Sequence, residues 1–299
     1  MQVGTSIRRT ARGIRRRLAA YASYFRPKPV ANLKQYRSEL AGKRGLEIGG
    51  PSTNFGTLGF VPIYDILESL DNCLYSSRTI WNGEVGGVFS YHPKKKPGVQ
   101  FFCEATNVHP IPKSSYECVL ASHCLEHIAN PLRALQEWTR VLVPGGVLLL
   151  VLPHKDGTFD WRRPTTTLEH MLSDYNSNVG EDDLTHLPEI LVLHDLSRDK
   201  AAGTRAQFRQ RCLENISQRA IHHHVFDTQT ALALVDRGSF QIIRVDTVKP
   251  YHIMILARRS EGTPDNVAFL GTQAEFRRKS PFPSDRLSPP ERPGTSSAS

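Results

Sequence analysis

Three acidic side chains, Glu47, Asp71 and Glu104, stand at or next to the carboxyl ends of the first three predicted strands. Carboxylates in these places can accept hydrogen bonds from an amino group, a ribose diol and an exocyclic amine. Each acid taken alone is typical of a solvated turn, but their coincidence with three strand ends favours a shared binding site. The strands themselves are predicted from short apolar runs at residues 45–48, 66–70 and 99–103.

A glycine pair, Gly49-Gly50, directly follows the first of these strands. Glycine carries no side chain, so a ligand can approach the backbone closely at this point. The pair lacks the G-x-G-x-x-G spacing of a dinucleotide site, which argues against a phosphate-binding loop. A tight turn without a ligand is the alternative interpretation.

Alternating strands and helices are predicted to position these residues. A fourth strand covers residues 116–122, and Asn130-Pro131 opens a helix as its N-cap and first-turn proline. That helix ends before Pro144-Gly145-Gly146, and the unbroken apolar run 147–152 is typical of a parallel strand buried on both faces.

Two further strands at 240–246 and 251–257 are separated by a turn so short that they must pair antiparallel. We therefore predict an α/β fold: a doubly wound, mostly parallel, seven-stranded Rossmann-like sheet that ends in an antiparallel hairpin and carries a helical insert. In such a sheet, ligands bind outside the carboxyl ends of the strands.

The sequence resembles the class I S-adenosylmethionine-dependent methyltransferases. Glu47-Ile48-Gly49-Gly50 is similar to their motif I, and the stretch from Glu104 to Pro153 resembles the small-molecule branch called type 11. The most specific matching block runs Ser122-His123, Leu125-Glu126-His127, Asn130-Pro131-Leu132, Arg140-Val141-Leu142 and Pro144-Gly145-Gly146. The resemblance covers roughly residues 43–153.

The resemblance implies S-adenosylmethionine as cofactor and assigns its contacts by position. The resemblance implies that Glu47, with Gly49 and Gly50, contacts the methionine amino end and that Asp71 contacts the ribose. It implies further that Glu104 and Ala105 contact the adenine, and that Ser122 and His123 lie near the methyl group. Two departures affect the methionine pocket. Pro51 replaces the last glycine of motif I, and glycines and a proline within residues 54–64 shorten or remove the usual helix after the first strand.

An alcohol acceptor must lose a proton as it is methylated, and histidine suits that task near neutral pH. His154, after the fifth strand, is our first candidate for the base because it opens the segment expected to cover the acceptor. His123, after the fourth strand, is the second candidate. Asp156 and Asp160 are close enough in sequence to orient or replace them. The alternative is that His154 merely hydrogen-bonds the following turn.

The segment 154–224 is too long for a simple connection and is predicted to carry helices of its own as a substrate cover. Asp182, His186 and Glu189 would share one face if residues 181–193 were helical, and more candidate ligands follow at His194, Asp195 and His222-His223-His224. A divalent metal site is conceivable, but the spacing matches no metal signature, so we predict no metal. Trp161-Arg162-Arg163 favours a hydroxylated or acidic, glycan-like acceptor, or a charged loop.

The net charge of +9 belongs to one end of the chain. The first 38 residues hold ten Lys and Arg and no acid, which leaves 28 basic against 29 acidic residues elsewhere. The charge therefore gives no reason to expect a nucleic-acid partner. An apolar stripe over residues 5–25, with arginines off it, predicts a basic amphipathic helix. Such a helix can contact an anionic membrane and would suit a lipid-linked acceptor; a transit peptide or a solvated arm are the alternatives.

These observations divide the chain into a basic arm (1–38), a methyltransferase domain (39–260) and a disordered Pro/Ser-rich tail (261–299). No apolar run could span a membrane, and five unpaired cysteines fit a reduced, cytoplasmic compartment. The function predicted is methyl transfer to a small molecule. The rivals are another nucleotide-binding enzyme, which the missing G-x-G-x-x-G disfavours, and a non-catalytic scaffold at a membrane surface.

Overall fold

The computed structural model describes residues 28–79 and 83–286, so the arm helix expected over residues 5–25 lies outside the described residues. The strands are β1 (Arg44–Ile48), β2 (Ser69–Leu74), β3 (Arg78–Thr79), β4 (Gly83–Glu84), β5 (Val88–Phe89), β6 (Gly98–Phe102), β7 (Tyr116–Ser122), β8 (Leu142–Pro153), β9 (Phe240–Val248) and β10 (His252–Arg259). The α-helices are α1 (Leu33–Leu40), α2 (Pro131–Val141), α3 (Leu168–Asn176), α4 (Leu187–Leu193), α5 (Arg205–Leu213), α6 (Asn215–Gln218), α7 (Thr228–Arg237), α8 (Val267–Leu270) and α9 (Glu275–Lys279). None of the helices in this part of the chain is long and apolar enough to cross a membrane.

Eight strands form one sheet in the order β5-β6-β2-β1-β7-β8-β10-β9. The strands from β6 to β8 in this order pair in parallel, and β10 pairs antiparallel with both β8 and β9. This confirms the predicted Rossmann-like sheet with its closing hairpin. The eighth strand is the two-residue β5, which adds antiparallel to the outer edge of β6.

Helices and turns cover both faces of the sheet. The unbroken apolar run of β8 explains how: its even-numbered residues 148–152 join one core cluster, and its odd-numbered residues 147–151 join the other. Helices α2 and α7 bury Trp138 and Leu232 in the first cluster. Helix α1 and the turns after β1 bury Tyr36 and Phe55 in the second.

The capping signal predicted from the sequence for α2 is present, and α7 begins with a cap of the same kind. Asn130 Oδ1 accepts from Arg133 N at 3.1 Å and Pro131 is the first residue of α2, while Asp227 caps α7 by accepting from Thr230 N. Each cap satisfies a backbone donor that has no partner within its helix. Helix α2 therefore begins where its sequence predicts.

Residues 51–68, which follow β1, form turns and no helix, as the glycines and the proline there indicated. The second strand, however, was placed wrongly: β2 spans Ser69–Leu74 rather than residues 66–70. Its pairing with β1 runs from Arg44↔Ser69 to Ile48↔Cys73, which places Asp71 in the middle of the strand. Because Asp71 and Asn72 are polar, the sequence suggested that the strand ended there, although both residues lie in its interior.

Both boundaries of the domain also differ from the prediction. The predicted arm boundary at residue 38 falls inside α1, whose Tyr36 Oη donates to Asp246 Oδ2 in β9 at 2.8 Å. At the other end, residues 267–286 form α8, α9 and a short 3-10 turn instead of a disordered tail. Phe276, Phe282 and Asp285 are buried there, so this segment belongs to the packed domain.

Candidate functional site

A cavity of about 650 Å3 opens at the carboxyl ends of β1, β2, β6 and β7. One wall follows these strand ends, and the opposite wall comes from the insert between β8 and α7. Tyr251 and His252 at the start of β10 close one end. The cavity thus lies where the topology predicts a ligand site. Of the nine site residues predicted from the sequence, Gly49, Glu104, Ala105, Ser122 and His123 line it, whereas Glu47, Gly50, Asp71 and His154 do not.

Gly49 forms the floor of the cavity after β1. Its φ of +81° is a conformation that side-chain-bearing residues rarely adopt, and a Cβ at this position would meet Cys124 Sγ at 3.2 Å. Gly50 is fixed by a reciprocal pair of hydrogen bonds with the side-chain amide of Asn72, both 3.0 Å long. The backbone of this loop is therefore held open toward the cavity.

Glu47 supports the loop from below instead of facing the cavity. Its side chain is fully buried, and its carboxyl group accepts from Ser52 N at 3.0 Å and from Tyr64 Oη at 2.8 Å. Burial raises the pKa of Glu47 to about 8, against the opposing effect of these hydrogen bonds. Glu47, predicted to contact the methionine amino group, therefore does not line the cavity.

Asp71 also has a structural position. Its Oδ2 accepts from Tyr116 Oη of β7 at 2.7 Å and its Oδ1 accepts from Val99 N of β6 at 2.7 Å, which ties β2 to both of these strands. The residue that follows β2 at the cavity is Tyr75. Asp71, predicted to contact the ribose, therefore does not line the cavity.

Glu104 lies at the cavity two residues beyond β6, and its carboxylate forms a bidentate ion pair with Arg219 of the insert at 2.7 and 3.1 Å. Arg219 also reaches Glu181 Oε2 at 3.1 Å, and burial raises the pKa of Glu181 to about 7 despite that arginine. Next to Glu104, the Ala105 carbonyl accepts from Trp138 Nε1 at 3.1 Å, which fixes the backbone there. No sequence signal pointed to Arg219, since it lies 115 residues further along the chain than Glu104.

Ser122, the last residue of β7, and the following His123 line the cavity. Ser122 Oγ accepts from Asn54 Nδ2 at 3.0 Å. His123 has a φ of +51°, with Nε2 2.9 Å from His252 Nδ1 and Nδ1 3.6 Å from Glu126 Oε1. Burial, and then the nearby His123, lower the pKa of His252 to about 3. These three side chains form a histidine–carboxylate cluster that faces the cavity.

Glu126 is fully buried, yet its pKa is lowered: burial acts to raise it, but His123, His127 and His222 together outweigh that effect. A carboxylate in this position stabilises a proton on an adjacent imidazole. Glu126 and His252 were not recognised as functional from the sequence. The Leu125-Glu126-His127 motif was the available signal for the first, and His252 carried none because it lies in the hairpin.

His154 does not match its predicted role. Its ring is fully buried, stacks on Phe282 with centroids 4.0 Å apart, and its Nε2 lies 3.1 Å from Asp285 Oδ1. A base must reach the proton that it removes. His154 instead connects the end of β8 to residues 267–286, and Asp156 likewise accepts from Ser284.

The insert is built around a buried ion pair rather than a sugar-binding motif. Arg163, 1% exposed, pairs with Asp160 at 3.1 Å and with Glu189 at 2.7 Å, and Asp160 also contacts His222 Nδ1 at 2.5 Å. Helix α4 begins only at Leu187, so Asp182, His186 and Glu189 do not share a helix face. Trp161 lies outside the cavity lining, with the guanidinium groups of Arg162 and Arg198 over its ring.

Residues 89–150 match the family model for a methyltransferase domain of type 11. The match runs from β5 into β8 and includes the strand ends that carry Glu104, Ser122 and His123. It confirms the resemblance predicted from the motifs: this part of the chain is similar to a methyltransferase domain. No curated protein matches the sequence.

Three of the solved structures with a similar fold are described as methyltransferases. A putative methyltransferase from Bacillus halodurans is 13% identical, with 77% of this chain and 98% of that chain covered and a TM-score of 0.42. An S-adenosylmethionine-dependent methyltransferase from Mesorhizobium loti is 15% identical, with 76% of this chain and 95% of that chain covered and a TM-score of 0.43. A putative S-adenosylmethionine-dependent methyltransferase from Listeria monocytogenes is 17% identical, with 77% of this chain and 95% of that chain covered and a TM-score of 0.42. These likenesses concern the fold, and the strand order described above carries that assignment.

Proposed function

We propose that this protein transfers a methyl group from S-adenosylmethionine to a small polar acceptor, both bound in the cavity at the strand ends. The observation that carries the proposal is Gly49. Its backbone lines the cavity at φ +81°, where a Cβ would contact Cys124, and it lies in the motif that resembles the methionine-binding loop. The glycine floor and the carboxylate of Glu104 fit the two ends of the cofactor.

When bound, S-adenosylmethionine supplies an electrophilic methyl group on a good leaving group. The protein then has to align the acceptor and remove its proton. Within the cavity lining, Gly49 would lie beside the methionine end, and Glu104 with the Ala105 backbone beside the adenine. Tyr75, at the end of β2, is placed beside the ribose in this arrangement.

His123 is the base in this proposal. Its side chain lines the cavity, with Nε2 2.9 Å from His252 Nδ1 and Nδ1 3.6 Å from Glu126 Oε1. Since burial and the nearby His123 lower the pKa of His252 to about 3, that ring stays neutral near pH 7. The buried carboxylate of Glu126 then stabilises the imidazolium.

The acceptor that this cavity favours is small, hydroxylated or acidic. Arg198, Arg211 and Arg219 line the insert side, and guanidinium groups suit carboxylate, phosphate and hydroxyl groups. Arg211 and Arg219 also pair with Asp199 and Glu104. A glycan-like compound, or the head of a lipid-linked one, has this chemistry. The lipid-linked class would also agree with the basic arm predicted over residues 5–25.

The test is a panel of polyhydroxylated, carboxylated and lipid-linked small molecules incubated with S-adenosylmethionine, with release of S-adenosylhomocysteine as the readout. We expect turnover with at least one polar class. His123→Asn should then lower kcat by about 10²–10⁴-fold while leaving the Kd for S-adenosylmethionine unchanged.

His109→Asn, a change at an exposed histidine outside the cavity, is the matched control and should keep wild-type kcat. Turnover that survives His123→Asn within a few-fold would remove His123 from the mechanism. Cofactor binding without turnover on any panel member would contradict the acceptor class, and absence of cofactor binding would contradict the function itself.

A further inference from the structure

A second group of convergent side chains lies in the insert, away from the cavity lining. Helix α3 supplies His170 and Asp174, which are one turn apart and lie on the same face of the helix. His186 stands directly before α4, and His224 belongs to the segment that leads into α7. Four side chains from three separate stretches of the insert therefore meet at one point.

The potential ligand atoms of this group are close together. His170 Nε2 lies 3.1 Å from His186 Nε2 and 3.3 Å from Asp174 Oδ2. One ring nitrogen from each histidine lies within 4.8 Å of those of the other two. Ligands at about 2.0–2.2 Å from one tetrahedral metal ion are separated by about 3.3–3.6 Å.

Two buried polar atoms of this group are available to bind an ion. Asp174 Oδ2 and His224 Nδ1 are buried without a hydrogen-bond partner among the described residues. Buried polar atoms without a partner are costly and call for an explanation. His224 Nε2 lies 3.1 Å from the Ala129 carbonyl, which is the type of outer contact that orients a metal-binding imidazole.

We propose that His170, Asp174, His186 and His224 bind a Zn²⁺ ion. Three imidazoles and one carboxylate form the donor set that zinc favours, and four protein ligands are typical of a site that stabilises structure. The ion would join α3, the start of α4 and the segment before α7. This proposal is independent of the function proposed above.

A second cluster, Glu126 with His127 and His222, is also close enough to hold an ion. Its arrangement is looser, because Glu126 Oε1 and His127 Nε2 are 3.9 Å apart. His222 Nδ1 is already engaged by Asp160. We therefore assign zinc to the first cluster, and the two assignments give different outcomes in the experiment below.

The experiment measures metal content of the full chain after chelation and reloading with Zn²⁺, and the visible spectrum after reloading with Co²⁺. We expect one zinc per chain, an intense tetrahedral Co²⁺ spectrum and a higher Tm for the zinc form. His170→Ala with Asp174→Asn should lose the zinc and the spectrum. His170 is 42% exposed at its side chain, so the variant is expected to fold.

His109→Ala is the matched control and should keep full zinc content. Glu126→Gln should also keep it, because that residue belongs to the other cluster. Three results would overturn the proposal: wild-type protein that retains no zinc, a double variant that binds zinc as wild type does, or zinc that is lost in Glu126→Gln and kept in the double variant.

Discussion

Glu104 and Asp71 show how well single residues of the cofactor site can be predicted from the sequence. Both acids follow apolar strand residues, but only Glu104 faces the cavity, whereas Asp71 bonds Tyr116 and Val99. We predict that Glu104→Gln weakens S-adenosylmethionine binding by about 1–3 kcal/mol, because ligand donors lose a charged partner. Asp71→Asn should leave the affinity unchanged. Calorimetric titration of each variant measures this.

Arg219→Gln serves as control, since it removes the Glu104–Arg219 ion pair and keeps the carboxylate. A loss of affinity in Arg219→Gln as large as that in Glu104→Gln would mean that the ion pair, not the carboxylate, matters. A loss in Asp71→Asn and not in Glu104→Gln would reverse our assignment.

Glu47 gives a prediction about pH. The folded protein keeps the Glu47 proton up to a pKa of about 8, whereas the unfolded chain loses it near the ordinary value of 4.5. Between these values the unfolded state binds fewer protons, so raising the pH favours unfolding. This contribution has a slope of at most about 1.4 kcal/mol per pH unit.

Glu47→Gln removes this titration, so its free energy of unfolding should gain on that of wild type as the pH rises from about 5 to 8. Urea unfolding at several pH values measures the difference. Glu68→Gln, at an exposed acid, should follow wild type at every pH. A constant difference between Glu47→Gln and wild type would show that Glu47 is ionised in the folded protein.

Four residues that line the cavity were located correctly because their positions depend only on where the strands end: Gly49, Ala105, Ser122 and His123. Asp71 and His154 were assigned to the site because their residue types suited the chemistry. Their actual partners, Tyr116 and Asp285, are 45 and 131 residues away in the chain. Only the folded packing reveals such partners.

At the scale of elements, the segment 267–286 is held by one buried carboxylate. Asp285 accepts from Thr228 N at 3.0 Å and Thr228 Oγ1 at 2.7 Å, and also contacts Ser280 Oγ and His154 Nε2. Asp285→Ala leaves several buried groups without partners, so we predict a loss of about 3–5 kcal/mol in the free energy of unfolding. Chemical denaturation checks this.

The neighbouring exposed Ser284 is the control for Asp285. It bonds Asp156 at the surface, so Ser284→Ala should cost only about 0.5–1.5 kcal/mol. An Asp285→Ala protein as stable as Ser284→Ala would show that residues 267–286 contribute little to the fold.

Elements with strong periodicity were predictable, and those held by tertiary contacts were not. The apolar run of β8 and the capped helices α2 and α7 follow from local sequence. The short α8 and α9 gave no periodic signal, since only Phe276 of their residues is buried. The histidines of the insert were visible as residues, but their convergence needs the fold, because it joins helices to a loop some fifty residues away.

On the scale of the whole molecule, the central claim is that the sheet's cavity binds S-adenosylmethionine across the loop at Gly49. The direct measurement is calorimetric titration of S-adenosylmethionine into wild type, Gly49→Val and Gly145→Val. Gly145 has a similar φ of +70° but open space around its Cβ position, so it controls for backbone strain. We predict one cofactor per chain for wild type and Gly145→Val, and no detectable binding for Gly49→Val. Equal binding by Gly49→Val, or no binding by the wild-type protein, would contradict the account.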